Sequence, residues 1–290
     1  MLKLEQGILM VQLRRQSPMA LFGVATFSLI LLAIAIGPYV YPQSADAIDF
    51  ALATQPPSWG HPFGTNTLGQ DQLARVLLGG RVSLTVGIAA MAMAVSIGTL
   101  IGAIAGFYGG LLSALLMRFT DLFLSLPQLP LSLLVIYLFG DAARAALGPQ
   151  NGIFALVVLV IGGFNWMSVA RLVRAGFLAT RDRTFMQAVQ ALGAKPRRLI
   201  WHHLLPNVLG PVIVAATLAV GNAVLAEATL SFLGLGFPPD IPTWGRMLYT
   251  AQDYLASAPH MAIFPGAAIF LTVLSINFIG DGLRDTLDAS

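Results

Sequence analysis

Cysteine is absent from the 290 residues, which removes disulfides, thiolate nucleophiles and cysteine metal ligands, and leaves the redox compartment open. Charge is nearly as scarce. Asp, Glu, Lys and Arg together make up 10% of the chain, against about a quarter in soluble domains. Lysine occurs only at Lys3 and Lys195, and neither follows a GxxxxGK(S/T) loop, so the chain lacks the phosphate cradle of a nucleotide-driven motor. The histidines, His61, His202, His203 and His260, lack the i, i+4 spacing of a helical metal pair. No His/Asp/Glu cluster has usable spacing, so no metal site is expected and nothing supports an enzyme acting alone. Charge inside apolar runs is missing too, Glu227 being the nearest to an exception, whereas an ion-coupled carrier places ionisable groups within its spans.

What is present is apolar: 57% of the residues are hydrophobic, as in an integral membrane protein. The net charge of +3 does not point to nucleic acid, because the basic residues flank apolar runs rather than interleave with exposed aromatics. Six runs, 19–41, 82–107, 122–139, 152–170, 207–226 and 262–279, can each cross a ~30 Å hydrocarbon core at ~1.5 Å per helical residue. Lys3, Arg14 and Arg15 precede the first and hold the N-terminus in the cytosol. Ala45-Asp46-Ala47 has the form of a signal cleavage site, but the run before it exceeds the ~7 to 15 residues of a secretory signal. An uncleaved first span is expected. The expected fold is all-α, with six transmembrane helices and both ends inside. Residues 1–81 would hold the cytosolic tail, first span and external loop, and residues 82–290 a five-helix core.

Along that core, Ala90, Ala94, Gly98, Gly102, Gly106 and Gly110 recur every four residues and form a smooth stripe on which another membrane helix can pack closely. A short turn carrying Arg118 and Asp121 should follow, and Pro127 and Pro130 should bend the third span. Residues 141–152 should return outside. Asn165, Asn222 and Asn277 are polar groups within spans; they either face a substrate path or hydrogen-bond neighbouring helices. His61 and Asp71 could pass for a metal or acid/base pair, but a hydrogen-bonded cap over the second span is the expected role.

Seven of the sixteen basic residues, Arg171, Arg174, Arg181, Arg183, Lys195, Arg197 and Arg198, crowd the loop 171–206 with only Asp182 to offset them, which places it in the cytosol. Within it, Phe185, Ala188, Val189 and Leu192 fall on one helical face. Gly193 follows where a helix commonly ends. Pro196 suits the first turn of a second helix, whose face Leu199, Ile200, His203 and Leu204 continue until Pro206. Composition alone would make these amphipathic pieces lying on headgroups.

The stretch QAVQALGAKPRRLIWHHLLP, 187–206, resembles the EAA loop of ABC-importer permease subunits, which runs Glu-Ala-Ala, three residues, Gly, nine residues, Ile-x-Leu-Pro. Ala188, Gly193, Leu205 and Pro206 match; Gln187 stands in place of Glu, Val189 of the second Ala and His203 of Ile. HPFGTNTLGQDQLARVLLGGRVSL, 61–84, is similar to the segment before the second span in the dipeptide and oligopeptide branch, with Asn66 and Gln70 replacing Asp and Arg. GFYGG…LMRFTDLFLSLP, AEATLSFLGLGFPPDIPTWGRML and INFIGDGLRDTLD resemble later family segments in the family's order.

This resemblance, from His61 to the C-terminus, implies the C-type permease subunit of a bacterial ABC importer of the dipeptide, oligopeptide or nickel branch, with a type I importer fold in the inner membrane. It implies a B-type permease partner, two ABC ATPases that bind ATP and Mg, and an extracytoplasmic binding protein. It implies ATPase coupling through Phe185, Gln187, Ala188, Leu192, Gly193, Leu205 and Pro206. Asn165, Asn222 and Glu227 are the candidates for the translocation path. Substrate identity stays open, and an ion-coupled carrier working without an ATPase is the alternative.

Overall fold

The computed structural model describes residues 18–181 and 183–288, except for the side chains of Gln187, Ala188, Gln190 and Asp288. The cationic flank of Lys3, Arg14 and Arg15, and Asp182, lie outside the described residues. The main elements among the described residues are helices: α1 Pro18–Val40, α2 Gln72–Tyr108, α3 Gly110–Ser125, α4 Gln128–Leu147, α5 Pro149–Gly163, α6 Trp166–Arg181, α7 Thr184–Ala191, α8 Pro196–Phe232, α9 Trp244–Ala251 and α10 His260–Asp288. Five of these, α1, α2, α4, α8 and α10, are long and apolar enough to cross a membrane. The pair α5 and α6, bent by 41° at Phe164-Asn165, makes a sixth.

The expected spans are therefore present, with boundaries moved by local chemistry. Helix α2 begins ten residues before the expected start at Val82, because Asp71 caps it: the Asp71 Oδ1 accepts from the Ala74 N–H at 2.8 Å, satisfying a donor that an uncapped helix start leaves free. It ends where Gly109 and Gly110 both take positive φ, +67° and +55°, a conformation expensive for residues with a Cβ. The expected short turn with Arg118 and Asp121 is instead the 16-residue helix α3, where Asp121 pairs with Arg171 of α6. Pro127 and Pro130 do not bend the third span; they open it. Pro127 is the N-cap of α4 and Pro130 lies in its first turn, where the missing N–H has no partner to lose. The expected outer loop 141–152 shrinks to a turn at Gly148 (φ +86°), with α4 and α5 so close that a methyl on Gly152 would lie 2.2 Å from the Ala143 carbonyl oxygen.

Helix α2 is the axis of the bundle. One side of it carries the small-residue stripe as far as Gly106, Gly110 falling in α3 instead, and its glycines pack on α6: a Cβ at Gly98 would meet the Trp166 carbonyl oxygen at 2.6 Å, at Gly102 the Ala170 oxygen at 2.5 Å, and at Gly106 the Phe177 Cβ at 2.5 Å. Small residues bring two membrane helices to backbone contact, so dispersion and not a hydrophobic driving force holds them. At other positions α2 receives α8 and α1, with Gly87 against Val224 and Gly80 against Ile34 and Trp244. Helix α1 runs alongside α10, Gly23 lying against Ser275 and Phe278. That places the start of α1, the elbow between α6 and α8, and the end of α10, where Leu287 meets Gly210, at one end of the bundle.

The opposite end carries residues 41–71 and 233–259, which the start of α2 ties together. The Arg75 guanidinium donates to the carbonyls of Ala45 (3.1 Å) and Pro239 (3.4 Å), and the Gln72 amide to that of Met261 (3.2 Å). Asp71 Oδ2 lies 2.8 Å from the Tyr41 hydroxyl, which donates to it, and 2.7 Å from His61 Nδ1. His61 and Asp71 therefore form the hydrogen-bonded cap. Burial and the Asp71 carboxylate push the Tyr41 phenol well above its usual range. Asn66 and Gln70, which replace the family's Asp and Arg, are partners: the Asn66 amide donates to Gln70 Oε1 at 2.8 Å. A neutral amide pair stands where the pattern has two charges.

Candidate functional site

Two regions carry the site residues expected from sequence: the elbow at the basic end, and the faces of α5, α6 and α8 within the membrane.

The elbow starts at α6, whose last turn is fixed to α2 by Arg181, its guanidinium donating to the Phe107 carbonyl at 3.0 Å. After Thr184–Ala191 the chain reverses through Gly193 at φ +80°, with the Ala194 N–H reaching back to the Val189 carbonyl at 3.3 Å. This six-to-one bond around a left-handed residue satisfies a terminal carbonyl, and glycine is the residue that reaches it without strain. Pro196 then opens α8 as expected.

The second helix does not stop at Pro206. It widens to a π-helical segment at Leu199–Leu204, in which the Leu205 N–H bonds the Ile200 carbonyl, and continues to Phe232. Widening accommodates Pro206, which lacks an N–H and whose ring would crowd the carbonyl four residues back in a regular helix. The elbow is therefore joined to a membrane span by unbroken helix.

The packing of the elbow differs from the expected face. Met186 is fully buried, and with Val189 it packs into a cluster with Phe177, Leu199, Leu204 and Val208. Phe185 and Leu192, 40% and 88% exposed, project outward together with the left-handed turn. Met186 went unnoticed in the sequence because an eight-residue helix supports two overlapping apolar faces; only α6 and α8 select between them. Leu205 is half-buried and Pro206 exposed. The backbone of Gln187 and Ala188 lies within α7, but their side-chain roles fall outside the described residues.

In the membrane, the three path candidates separate. Asn165 sits at the bend between α5 and α6 and spends its amide on the Ile161 carbonyl, 2.7 Å away. Glu227 does not line an opening. It is fully buried and receives hydrogen bonds from the hydroxyls of Ser83 (2.8 Å) and Ser231 (2.7 Å). Ser83 Oγ in turn accepts from the Trp244 N–H at 3.3 Å, and the buried Trp244 indole donates to the Val76 carbonyl at 2.9 Å. The carboxyl thus ties α2, α8 and α9 together. Asn222, by contrast, is exposed, on the α8 face shared by Leu225, Thr229 and Phe232. These last three line a cleft of about 540 Å³ between α8 and α10, whose far wall includes Phe270 and Asn277. Asn277 is exposed as well.

Among the described residues no group of three His, Cys, Asp or Glu side chains could hold a metal ion.

Comparison with known proteins places this architecture. Residues 98–290 match the family model described as the binding-protein-dependent transport system inner membrane component. The chain is 37% identical to the dipeptide transport system permease protein DppC of Alkalihalophilus pseudofirmus, covering 94% of this chain and 86% of the relative. It is 38% identical to the oligopeptide transport system permease protein OppC of Haemophilus influenzae (93% and 84%), and 37% identical to the glutathione transport system permease protein GsiD of Pectobacterium atrosepticum (90% and 84%). Its fold is similar to that of a chain from the inward-facing MetNI methionine ABC transporter, with a TM-score of 0.53 at 19% identity over 73% of this chain and 94% of the other. Taken with the six-span bundle and its elbow, these likenesses establish that the chain belongs to the family of binding-protein-dependent transport system inner membrane components and is a membrane-spanning subunit of an ABC importer.

Proposed function

We propose that this subunit imports di- or oligopeptides across the bacterial inner membrane, as half of a permease heterodimer driven by two ATPase subunits that bind ATP and Mg and supplied by an extracytoplasmic binding protein. The peptide class is supported by the names of the relatives. The single observation that carries the mechanism is the continuity of α8: a left-handed elbow at Gly193 presents Phe185 and Leu192 outward, and 37 residues of unbroken helix lead from it through the membrane. ATP-driven closure of the ATPase pair pushes on α7, and α8 carries that displacement to the far end, where Glu227 and Trp244 join it to α2 and α9.

The path side of the subunit is the cleft between α8 and α10. Asn222 and Asn277 expose side-chain amides on otherwise apolar faces, and neither has a hydrogen-bond partner among the described residues. An amide left against lipid tails forfeits its hydrogen bonds, so this face meets the second permease or the water between the two subunits.

The absence of cysteine allows a clean test. Leu192→Cys in the assembled importer should cross-link to single cysteines on the ATPase subunit and should do so differently with and without ATP. Absence of any cross-link, with the complex intact, would remove the elbow as the contact.

A further inference from the structure

Three cations stand where electrostatics disfavours them. Lys195 is the N-cap residue of α8, and Arg197 and Arg198 lie in its first turn, at the positive end of the helix dipole, which repels cations and attracts anions. No side chain caps this end, and none of the three cations makes an ion pair among the described residues. With Trp201 and His202 they line one open cleft of about 680 Å³. Nothing in the described chain neutralises it.

We infer that this cleft, Lys195-Arg197-Arg198-Trp201-His202, binds the phosphate headgroup of an anionic phospholipid in the leaflet next to the elbow. Charge and helix polarity select an anion; Trp201 selects its source. This indole is 61% exposed in the second turn of a helix that goes on to cross the membrane, the level at which tryptophan settles between headgroups and acyl chains. Basic pockets beside membrane helices on the cytoplasmic side hold anionic headgroups by the same combination of charge and position. A lipid there would steady the start of α8 just behind Gly193, without occupying the outward-facing Phe185 and Leu192. The inference does not depend on the ATPase contact proposed above.

The test uses the full-length chain in its assembled importer, stripped of lipid and returned to nanodiscs or mixed micelles. Binding of phosphatidylglycerol and of phosphatidylcholine is measured by native mass spectrometry, and contact at Trp201 by fluorescence quenching with brominated phosphatidylglycerol. The expected result is preferential retention of phosphatidylglycerol. The triple variant K195Q/R197Q/R198Q should lower its affinity on the order of a hundredfold, and W201F should abolish the Trp201 share of the quenching while the fold and thermal midpoint persist. Equal retention of phosphatidylglycerol by the triple variant would overturn the proposal. So would complete competition by inorganic phosphate, which would make the cleft a soluble-anion site. Loss of ATPase co-purification in the triple variant with lipid retention unchanged would also overturn it, because the cations would then serve a protein partner. Loss of the Leu192→Cys cross-link alone would leave the lipid assignment standing.

Discussion

Adding one methyl group to Gly102 tests whether the seam between α2 and α6 holds the bundle and the elbow in register. The new Cβ would lie 2.5 Å from the Ala170 carbonyl oxygen and 2.7 Å from the Val173 Cβ, where carbon contacts relax to about 3.5 Å. Neither neighbour can rotate away: one is backbone and the other sits at the root of a fully buried side chain. The helices must therefore separate by about 1 Å, and a gap of that size forfeits up to about half of each contact energy along the seam. Overpacking of this kind costs about 1–3 kcal/mol. The better helix propensity of alanine returns at most about 1 kcal/mol, so a net loss of about 1–2 kcal/mol is expected for Gly102→Ala. The thermal midpoint of the detergent-solubilised protein should fall by about 2–8 °C. Gly163→Ala is the matched control, because a Cβ there meets nothing within 4 Å, and its midpoint should hold or rise slightly. Helix α6 runs directly into the elbow, so Gly102→Ala should also depress substrate-stimulated ATP hydrolysis in the assembled importer more than its loss of folded protein accounts for. If Gly102→Ala proves as stable as Gly163→Ala, the seam is looser than the backbone contacts require and the reasoning fails.

Glu227→Ala should lower the midpoint by the equivalent of about 2–4 kcal/mol, since it leaves a cavity and two buried hydroxyls without their acceptor. Asn222→Ala should stay within about 0.5 kcal/mol of the parent yet change peptide uptake; the reverse pattern in stability and transport assays would return Glu227 to the path. The raised Tyr41 phenol gives a signed pH dependence. Its folded-state value lies above the ordinary phenol value of 10.0, so its contribution to stability is complete below pH 10 and declines as the pH climbs beyond it toward the folded value. Tyr41→Phe should remove that decline, as read from midpoints across an alkaline series.

The spans were legible because apolar runs long enough to cross a bilayer have few other uses, and the seam was legible because a four-residue repeat of Ala and Gly can only make a smooth helix face. The elbow was legible for a related reason: Gly193 followed by Pro196 stops one helix and starts another through backbone chemistry that needs no tertiary partner. Boundaries were missed where one residue overruled the hydropathy profile. Asp71 extends α2 backward through a cap, and that signal was present in the sequence, an aspartate just before an apolar periodic run. Pro206 had the opposite effect on the reading. It looks like a stop, but a π-helical turn absorbs it, and whether a helix widens or breaks at a proline depends on what packs against it, here the buried Leu199 and Leu204.

Glu227 shows why the path could not be read in advance. A lone carboxyl near a span end is equally consistent with a lumen and with a knot, and the partners that decide are Ser83, 144 positions away, and Ser231 one turn on. Once those bonds are known, the functional argument changes direction. A carboxyl committed to fixing α2, α8 and α9 cannot also solvate a passing substrate, but it gives the far end of α8 a fixed attachment. Helix α8 is then held at both ends, by the Gly193 elbow and its buried Met186 cluster at one and by the Glu227–Ser83–Trp244 knot at the other. The exposed Asn222 lies between these anchors, on a face of α8 that neither one occupies. In the proposed mechanism, force applied at the elbow moves α8 together with the helices bound to it, and the face carrying Asn222 is the surface that such a movement would carry past the second permease.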